Sequence, residues 1–317
     1  MSIVTTGVIF RVLGPVVVRV PPRTVAVDEP RRRAVMAALL LNQGRTVTWQ
    51  QLVRLVWGDE RPASSRKALH VYVSKIRQAI ADIPDTAIVT QPDGYQFSCV
   101  PDSVDLHVFR NMVATSRQVT DDRLRRDILT NALALWRGEP FTGVAPGGLH
   151  EWVAPRLKEE RLVAIEECYA ARLRLGEYGA VIDPLKVAVA EYPLRERLVE
   201  LLMSALHVCG RHLEASHVYH RLRAALHREI GVQPNQTLAT LHEAILTIDV
   251  TRDRRPTLTA AGFIGQGRGL LEKGDQDRAL ACFYAGRAEA RDRGDDASLR
   301  VVDTMITQLT SPVERAP

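Results

Sequence analysis

The sequence predicts a mainly α chain with a small β component, in which strands, three helices and a hairpin fill the first hundred residues and an all-α helical array follows. Three observations carry that prediction. Clusters of β-branched residues and the Asp93-Gly94 pair fall within residues 1–100. From Asp105 onward strand signals fade, and apolar residues recur at the helical period. Gly176 and Gly210 lie 34 residues apart, each between two helical segments, which is the period of a two-helix tetratricopeptide repeat.

The opening segment holds Val8-Ile9-Phe10-Arg11-Val12-Leu13 and Val16-Val17-Val18-Arg19-Val20, broken by Gly14-Pro15 and Pro21-Pro22, and reads as short antiparallel strands. Pro30 sits where a first helical residue would, after Asp28 and Glu29, and Val35, Ala38, Leu39 and Leu41 form an apolar face before Asn42 and Gly44. Thr48 and Gln51 have capping-box spacing for a short second helix that runs to Trp57-Gly58. Pro62 and Ser64 or Ser65 start a third, spanning about residues 64–81. Ile88-Val89-Thr90 and Tyr95-Gln96-Phe97 are then strands joined through Gln91-Pro92-Asp93-Gly94, where Asp-Gly is hairpin chemistry.

The third helix carries the sharpest functional signal. At about 100° per residue, Leu69, Tyr72, Val73, Ile76 and Ile80 fall on one side and must pack inward. Opposite lie Lys67, His70, Val71, Ser74 and Gln78, flanked by Arg66 and Arg77 on one side and Lys75 on the other. A valine among basic and amide side chains suits a DNA major groove, where it can meet a thymine methyl while Lys or Gln reaches base edges. Charge agrees. Residues 1–100 hold 13 Lys and Arg against 7 Asp and Glu, so the whole net charge of +5 arises there. The stretch from Arg61 to Arg77 contains no acid, a footprint for a phosphate backbone; the bland alternative is a solvated basic face.

Strands, three helices and a hairpin wing in that order resemble the winged helix-turn-helix of OmpR/PhoB-type regulators. A closer resemblance is to the Streptomyces antibiotic regulatory protein (SARP) family. It is carried by Phe10-Arg11-Val12-Leu13-Gly14-Pro15, Arg31-Arg32-Arg33-Ala34, Leu55-Val56-Trp57-Gly58 and the run from Ala68 to Arg77. Gly94-Tyr95, Asp105-Leu106-His107-Val108-Phe109, Ala134-Leu135-Trp136-Arg137-Gly138 and Pro193-Leu194-Arg195-Glu196-Arg197 continue it, to about Leu246.

The resemblance implies a transcriptional activator of a secondary-metabolite gene cluster. Such a protein binds direct repeats in double-stranded promoter DNA, as a homodimer on tandem sites, and recruits RNA polymerase through its sigma factor and alpha subunit. Gly58, Asp59, Glu60 and Arg61, between the second and third helices, correspond to the loop that contacts polymerase in OmpR/PhoB-type domains. Gln91 departs from the family, whose wing commonly has Arg there, and removes a cation from the hairpin. The expected domains are a winged helix over 1–101, a tetratricopeptide-like bacterial transcriptional activation domain over 102–250, and further helices over 257–310. In the last of these, Gly267, Leu271, Gly274, Asp275, Ala279, Leu280 and Phe283 suit another helix pair, and residues 298–309 a closing helix. A break is expected near Asp253-Arg254-Arg255-Pro256, and Ser311 to Pro317 should fray.

Length and composition bound the remaining classes. A chain of 317 residues exceeds one ordinary core, and 46% hydrophobic with 25% charged residues is ordinary for soluble domains, while only 5% aromatics favours helix packing. Cys99, Cys168, Cys209 and Cys282 form no Cys-x-x-Cys pair and no signal peptide pattern opens the chain, which fits the cytoplasm. No uncharged apolar run reaches the ~18 residues of a membrane span. Gly262, Gly265, Gly267, Gly269 and Gly274 do not form a phosphate loop, because Lys273 is followed by glycine and no strand precedes them. His207, His212, His217, His220 and His227 lack a spaced Cys or carboxylate, so no metal or other cofactor is expected. No nucleophile elbow or paired-carboxylate motif suggests an enzyme. The competing reading is a tetratricopeptide-type interaction scaffold that does not bind DNA.

Overall fold

Three short antiparallel strands open the fold: β1 (Phe10–Arg11), β2 (Val17–Val20) and β3 (Arg23–Val25), paired in that order. The computed structural model describes residues 9–20, 22–253, 260–272 and 276–310. The first strand is shorter than its apolar run suggests. The Val12 and Leu13 N–H groups donate to the carboxylate of Asp105 at 2.9–3.1 Å instead of to a neighbouring strand.

Helix α1 (Pro30–Leu41) has Pro at its first position, as expected, but the predicted single apolar face is too narrow a description. Every residue from Ala34 to Leu40 is buried, and Leu41 is only half-buried. The reason is its place at the centre, where α2 (Trp49–Trp57), α3 (Ser65–Ile80) and a β-hairpin pack round it, with three alanines letting them approach. The Thr48 and Gln51 capping box forms in full, with Thr48 Oγ1 accepting from Gln51 N and Gln51 Oε1 accepting from Thr48 N.

The hairpin consists of β5 (Ala87–Gln91) and β6 (Gly94–Ser98), and a strand that the residue pattern did not suggest, β4 (Thr46–Thr48), completes the sheet in the order β4-β6-β5. β4 changes the meaning of Asp93-Gly94. The turn residues are Pro92 and Asp93, and Gly94 begins β6 opposite Thr48. A Cβ at Gly94 would lie 1.9 Å from the Val47 carbonyl oxygen, so the glycine admits a neighbouring strand and is not there for turn conformation.

Helices follow throughout: α4 (Asp105–Gln118), α5 (Asp122–Leu133), α6 (Ala154–Arg174), α7 (Tyr178–Glu191), α8 (Glu196–Val208), α9 (His212–Ile230) and α10 (Gln236–Asp253). Neighbours in sequence pack as neighbours in space, α4 on α5, α5 on α6, α7 on α8 and α8 on α9. Helix α5 ends at Leu133, and Leu135 and Trp136 turn into the core, where Trp136 meets Phe109 edge to face at 5.5 Å. Helix α6 is preceded by a π turn over Leu149–Val153. Gly176 and Gly210 close α6 and α8 identically, with φ of 80° and 74° and the next N–H returning to the carbonyl five residues back. That is the Schellman cap, and it accounts for glycine at the repeat period.

The chain divides into two compact units at 238/239, within α10. In the second, α11 (Ala260–Glu272), α12 (Gln276–Arg293) and α13 (Asp296–Thr310) enclose Ile264, Ala279, Phe283, Val302 and Ile306. Gly267 lies against Phe283, where a Cβ would come within 2.4 Å of the ring. Lys273, Gly274 and Asp275, the break at Arg254, Arg255 and Pro256, and the terminal residues from Ser311 lie outside the described residues.

Candidate nucleic-acid interface

Helix α3 turns Leu69, Val73, Ile76 and Ile80 into the core, with Tyr72 half-buried against Trp57. Its other face is open. Lys67, His70, Val71, Ser74 and Gln78 are all exposed, Val71 to 58%, and Arg66 and Lys75 beside them are exposed as well. Among the described residues no carboxylate pairs with Arg66, Lys67 or Lys75, and no group of the chain hydrogen-bonds the side chains of Ser74 or Gln78. Three uncompensated cations around an exposed apolar side chain make a surface of positive potential with unused donors and acceptors.

Three residues of the predicted set, Arg77, Gln91 and His70, are hydrogen-bonded within the domain. Arg77 is half-buried and donates through Nε to the Ile88 carbonyl at 2.9 Å and through a terminal nitrogen to Thr90 Oγ1 at 2.8 Å. Its guanidinium also lies 5.7 Å from the centre of the Tyr95 ring. It ties the hairpin to α3. Gln91 donates to Gln96 across the hairpin at 2.9 Å, and Gln96 in turn donates to the Gly44 carbonyl.

Behind the exposed face stands an aromatic support that residue periodicity did not reveal. Trp49, the first residue of α2, meets Tyr95 edge to face at 4.6 Å and His70 at 5.0 Å, and Arg66 covers the indole at 5.2 Å. The Tyr95 hydroxyl is 2.7 Å from His70 Nδ1, which fixes the imidazole and leaves Nε2 to the open side. Burial pushes the Tyr95 hydroxyl above its ordinary range. Tyr95 stands in a Gly-Tyr pair at the hairpin, the one signal that could have pointed to it.

Asp59, Glu60 and Arg61 are exposed between α2 and α3, and Gly58 beneath them is buried. Gly58 caps α2 with φ of 64° and faces Glu151, whose carboxylate would be 3.1 Å from an added Cβ. Gly147 similarly admits the Val56 carbonyl, and Arg31 donates both to that carbonyl and to Pro146. The loop therefore rests on the segment that leads into α6. Among the described residues no cluster of three or more His, Cys, Asp or Glu is arranged to hold a metal, and no helix is long and apolar enough to cross a membrane.

Residues 27–97 match the family model described as transcriptional regulatory protein, C terminal, and residues 104–246 match the bacterial transcriptional activator domain. The transcriptional regulator RedD of Streptomyces coelicolor is 30% identical over 247 residues, which cover 76% of this chain and 71% of RedD. The chain belongs to the Streptomyces antibiotic regulatory protein family. Another relative is the regulatory protein DnrI of Streptomyces peucetius, 29% identical over 80% of this chain and 98% of its own length. The regulatory protein AfsR of Streptomyces coelicolor is 36% identical over 244 residues, but this chain spans only 24% of AfsR. Among solved structures, Mycobacterium tuberculosis EmbR in complex with a low affinity phosphopeptide has a TM-score of 0.70 and 26% identity, covering 76% of this chain and 65% of that one. In this SARP-family chain the first model takes in α1 to β6 and the second begins at Val104, one residue before Asp105. Strands β1 to β3 lie outside both models.

Proposed function

We propose that this protein is a sequence-specific DNA-binding activator of a secondary-metabolite gene cluster, acting in the cytoplasm on direct repeats near a promoter. The single observation that carries the proposal is the open face of α3. Lys67, His70, Val71, Ser74 and Gln78 read base edges in the major groove, Val71 through a thymine methyl, while Arg66 and Lys75 meet phosphates on either side. Arg77 and Gln91 set the hairpin beside the groove, so Gln91 adds no cation to the wing.

In this reading, residues 1–101 bind DNA, 102–250 form the activating array that pairs two copies on tandem repeats, and 257–310 form a further set of helices. The loop from Gly58 to Arg61, exposed at Asp59, Glu60 and Arg61, meets RNA polymerase, at its sigma and alpha regions. Family membership supports the partners; the loop's exposure and its seat on Glu151 support its role as a presented surface.

Titration of promoter fragments bearing direct repeats, at several salt concentrations, tests this. Lys67→Ala and Lys75→Ala should each weaken binding, and a lost phosphate contact should flatten the log–log salt slope by about one unit. Run-off transcription from the same fragments reads the loop: Asp59→Ala with Glu60→Ala should lower transcript while leaving DNA affinity unchanged. Absent or salt-insensitive DNA binding would sink the proposal and favour the interaction scaffold.

A further inference from the structure

We propose that the cleft between the winged helix and the first helices of the array binds a small planar aromatic anion. The cleft has a volume of about 650 Å³, inside the roughly 300–1,000 Å³ range of small-molecule sites. Leu41, Val47 and Leu55 line it from the winged helix, and Trp152, Val153 and Leu157 face them from the array. Both walls belong to the same compact unit.

The cleft is half polar, with Asn42 and Gln51 in its lining, and its charge is one-sided. Arg54, Arg110 and Arg156 reach it, against the single carboxylate of Glu160. Arg110 already holds Glu160 through two hydrogen bonds of 2.8 Å. Arg54 lies over the Trp152 ring, 4.5 Å from its centre. Arg156 is exposed and makes no ion pair among the described residues. Two guanidinium groups are therefore left with no carboxylate, beside a flat indole and aliphatic walls. A ring laid on the Arg54 guanidinium that covers Trp152, with a carboxylate aimed at Arg156, would satisfy both features at once.

Backbone geometry supports a built site. The π turn over Leu149–Val153 carries Trp152 and Val153 into the cleft, and such rare turns are frequently found at functional sites. The indole is also pinned. Gly148 leaves room for it, since a Cβ there would come within 2.3 Å of the Trp152 ring and 2.5 Å of the Arg54 carbonyl oxygen.

Calorimetric titration of the full chain with benzoate, naphthoate and anthroate, and with the neutral methyl esters of each, tests the site. At least one acid should bind saturably at one site per chain, and its ester should not. Arg156→Ala, which removes an exposed side chain, should weaken the acid about tenfold with the circular dichroism spectrum unchanged, the loss of one charge-assisted contact. Arg156→Lys should restore part of it. No saturable binding by any acid, equal binding by acid and ester, or an Arg156→Ala variant of unaltered affinity would each overturn the proposal. The titration contains no DNA, so it stands apart from the outcome of promoter binding.

Discussion

Asp105 is almost fully buried, and its two oxygens collect the N–H groups of Val12 and Leu13, with a terminal nitrogen of Arg137 at 3.5 Å. Burial pushes its carboxyl above the ordinary range, opposed by those donors and by Arg137. Because the N–H groups point at it from a chain segment more than ninety residues away, no partner remains for them when the acceptor is lost. Asp105→Asn turns one oxygen into a donor facing those N–H groups, so it should cost about 1–3 kcal/mol, the penalty of a buried donor left without an acceptor. Urea unfolding of wild type and variant at neutral pH measures it, and an unchanged midpoint would refute the assignment. At this scale, residue type alone marked Asp105 only as part of a family motif. Its role needed the fold, because hydrogen bonds across ninety residues leave no periodic trace.

Among the elements, α3 was the most legible, since a helix packed on one side and open on the other writes its environment at the helical period. Its companion hairpin was legible as strands but not as a sheet. The strand Thr46–Thr48 has only three residues, too few to show alternation, and the reason for Gly94 lies in that unread strand. In the array, α7 and α9 are joined by Glu214, which accepts from Lys186 at 2.8 Å and from Arg211 at 2.6 Å. These two cations hold its carboxyl down at about 2, below the ordinary 4.5. A depressed carboxyl stabilises the fold above its unfolded value and loses that contribution as pH falls through the folded one. Glu214→Gln should thus be slightly less stable than wild type at neutral pH, and the gap in denaturation midpoint should close between pH 4.5 and about 2. A gap that persists at the acid end would contradict the ion-pair account. The effect is small, because all three side chains are more than a third exposed.

Across the whole molecule, one hydrophobic core runs without interruption from Phe10 to Cys168, through the winged helix and into α6. The family motifs explain one another here. Gly14, Asp105 and Arg137, from three separate motifs, meet at one joint: Arg137 N donates to the Leu13 carbonyl at 2.8 Å, and a Cβ on Gly14 would lie 3.0 Å from that of Arg137. Calorimetry should therefore show the winged helix and α4 to α6 melting in a single transition, with residues 1–101 alone losing cooperative unfolding or melting well below it. Two resolved transitions within residues 1–238 would contradict a shared core.

By itself the sequence determined the three helices and the hairpin of the first hundred residues, the buried and open faces of α3 and the capping box of α2, because each is written in residues close together in the chain, while the repeat showed as a 34-residue glycine spacing. Tertiary structure decided which cations are free, since Arg77 is held by the hairpin while Lys67 and Lys75 are not. It also decided why Gly94 must be glycine, how Asp105 ties the sheet to the array, and that Trp152 and Arg156 face Leu55 across a cleft. Those facts depend on contacts between distant segments, and local periodicity does not record distance in space.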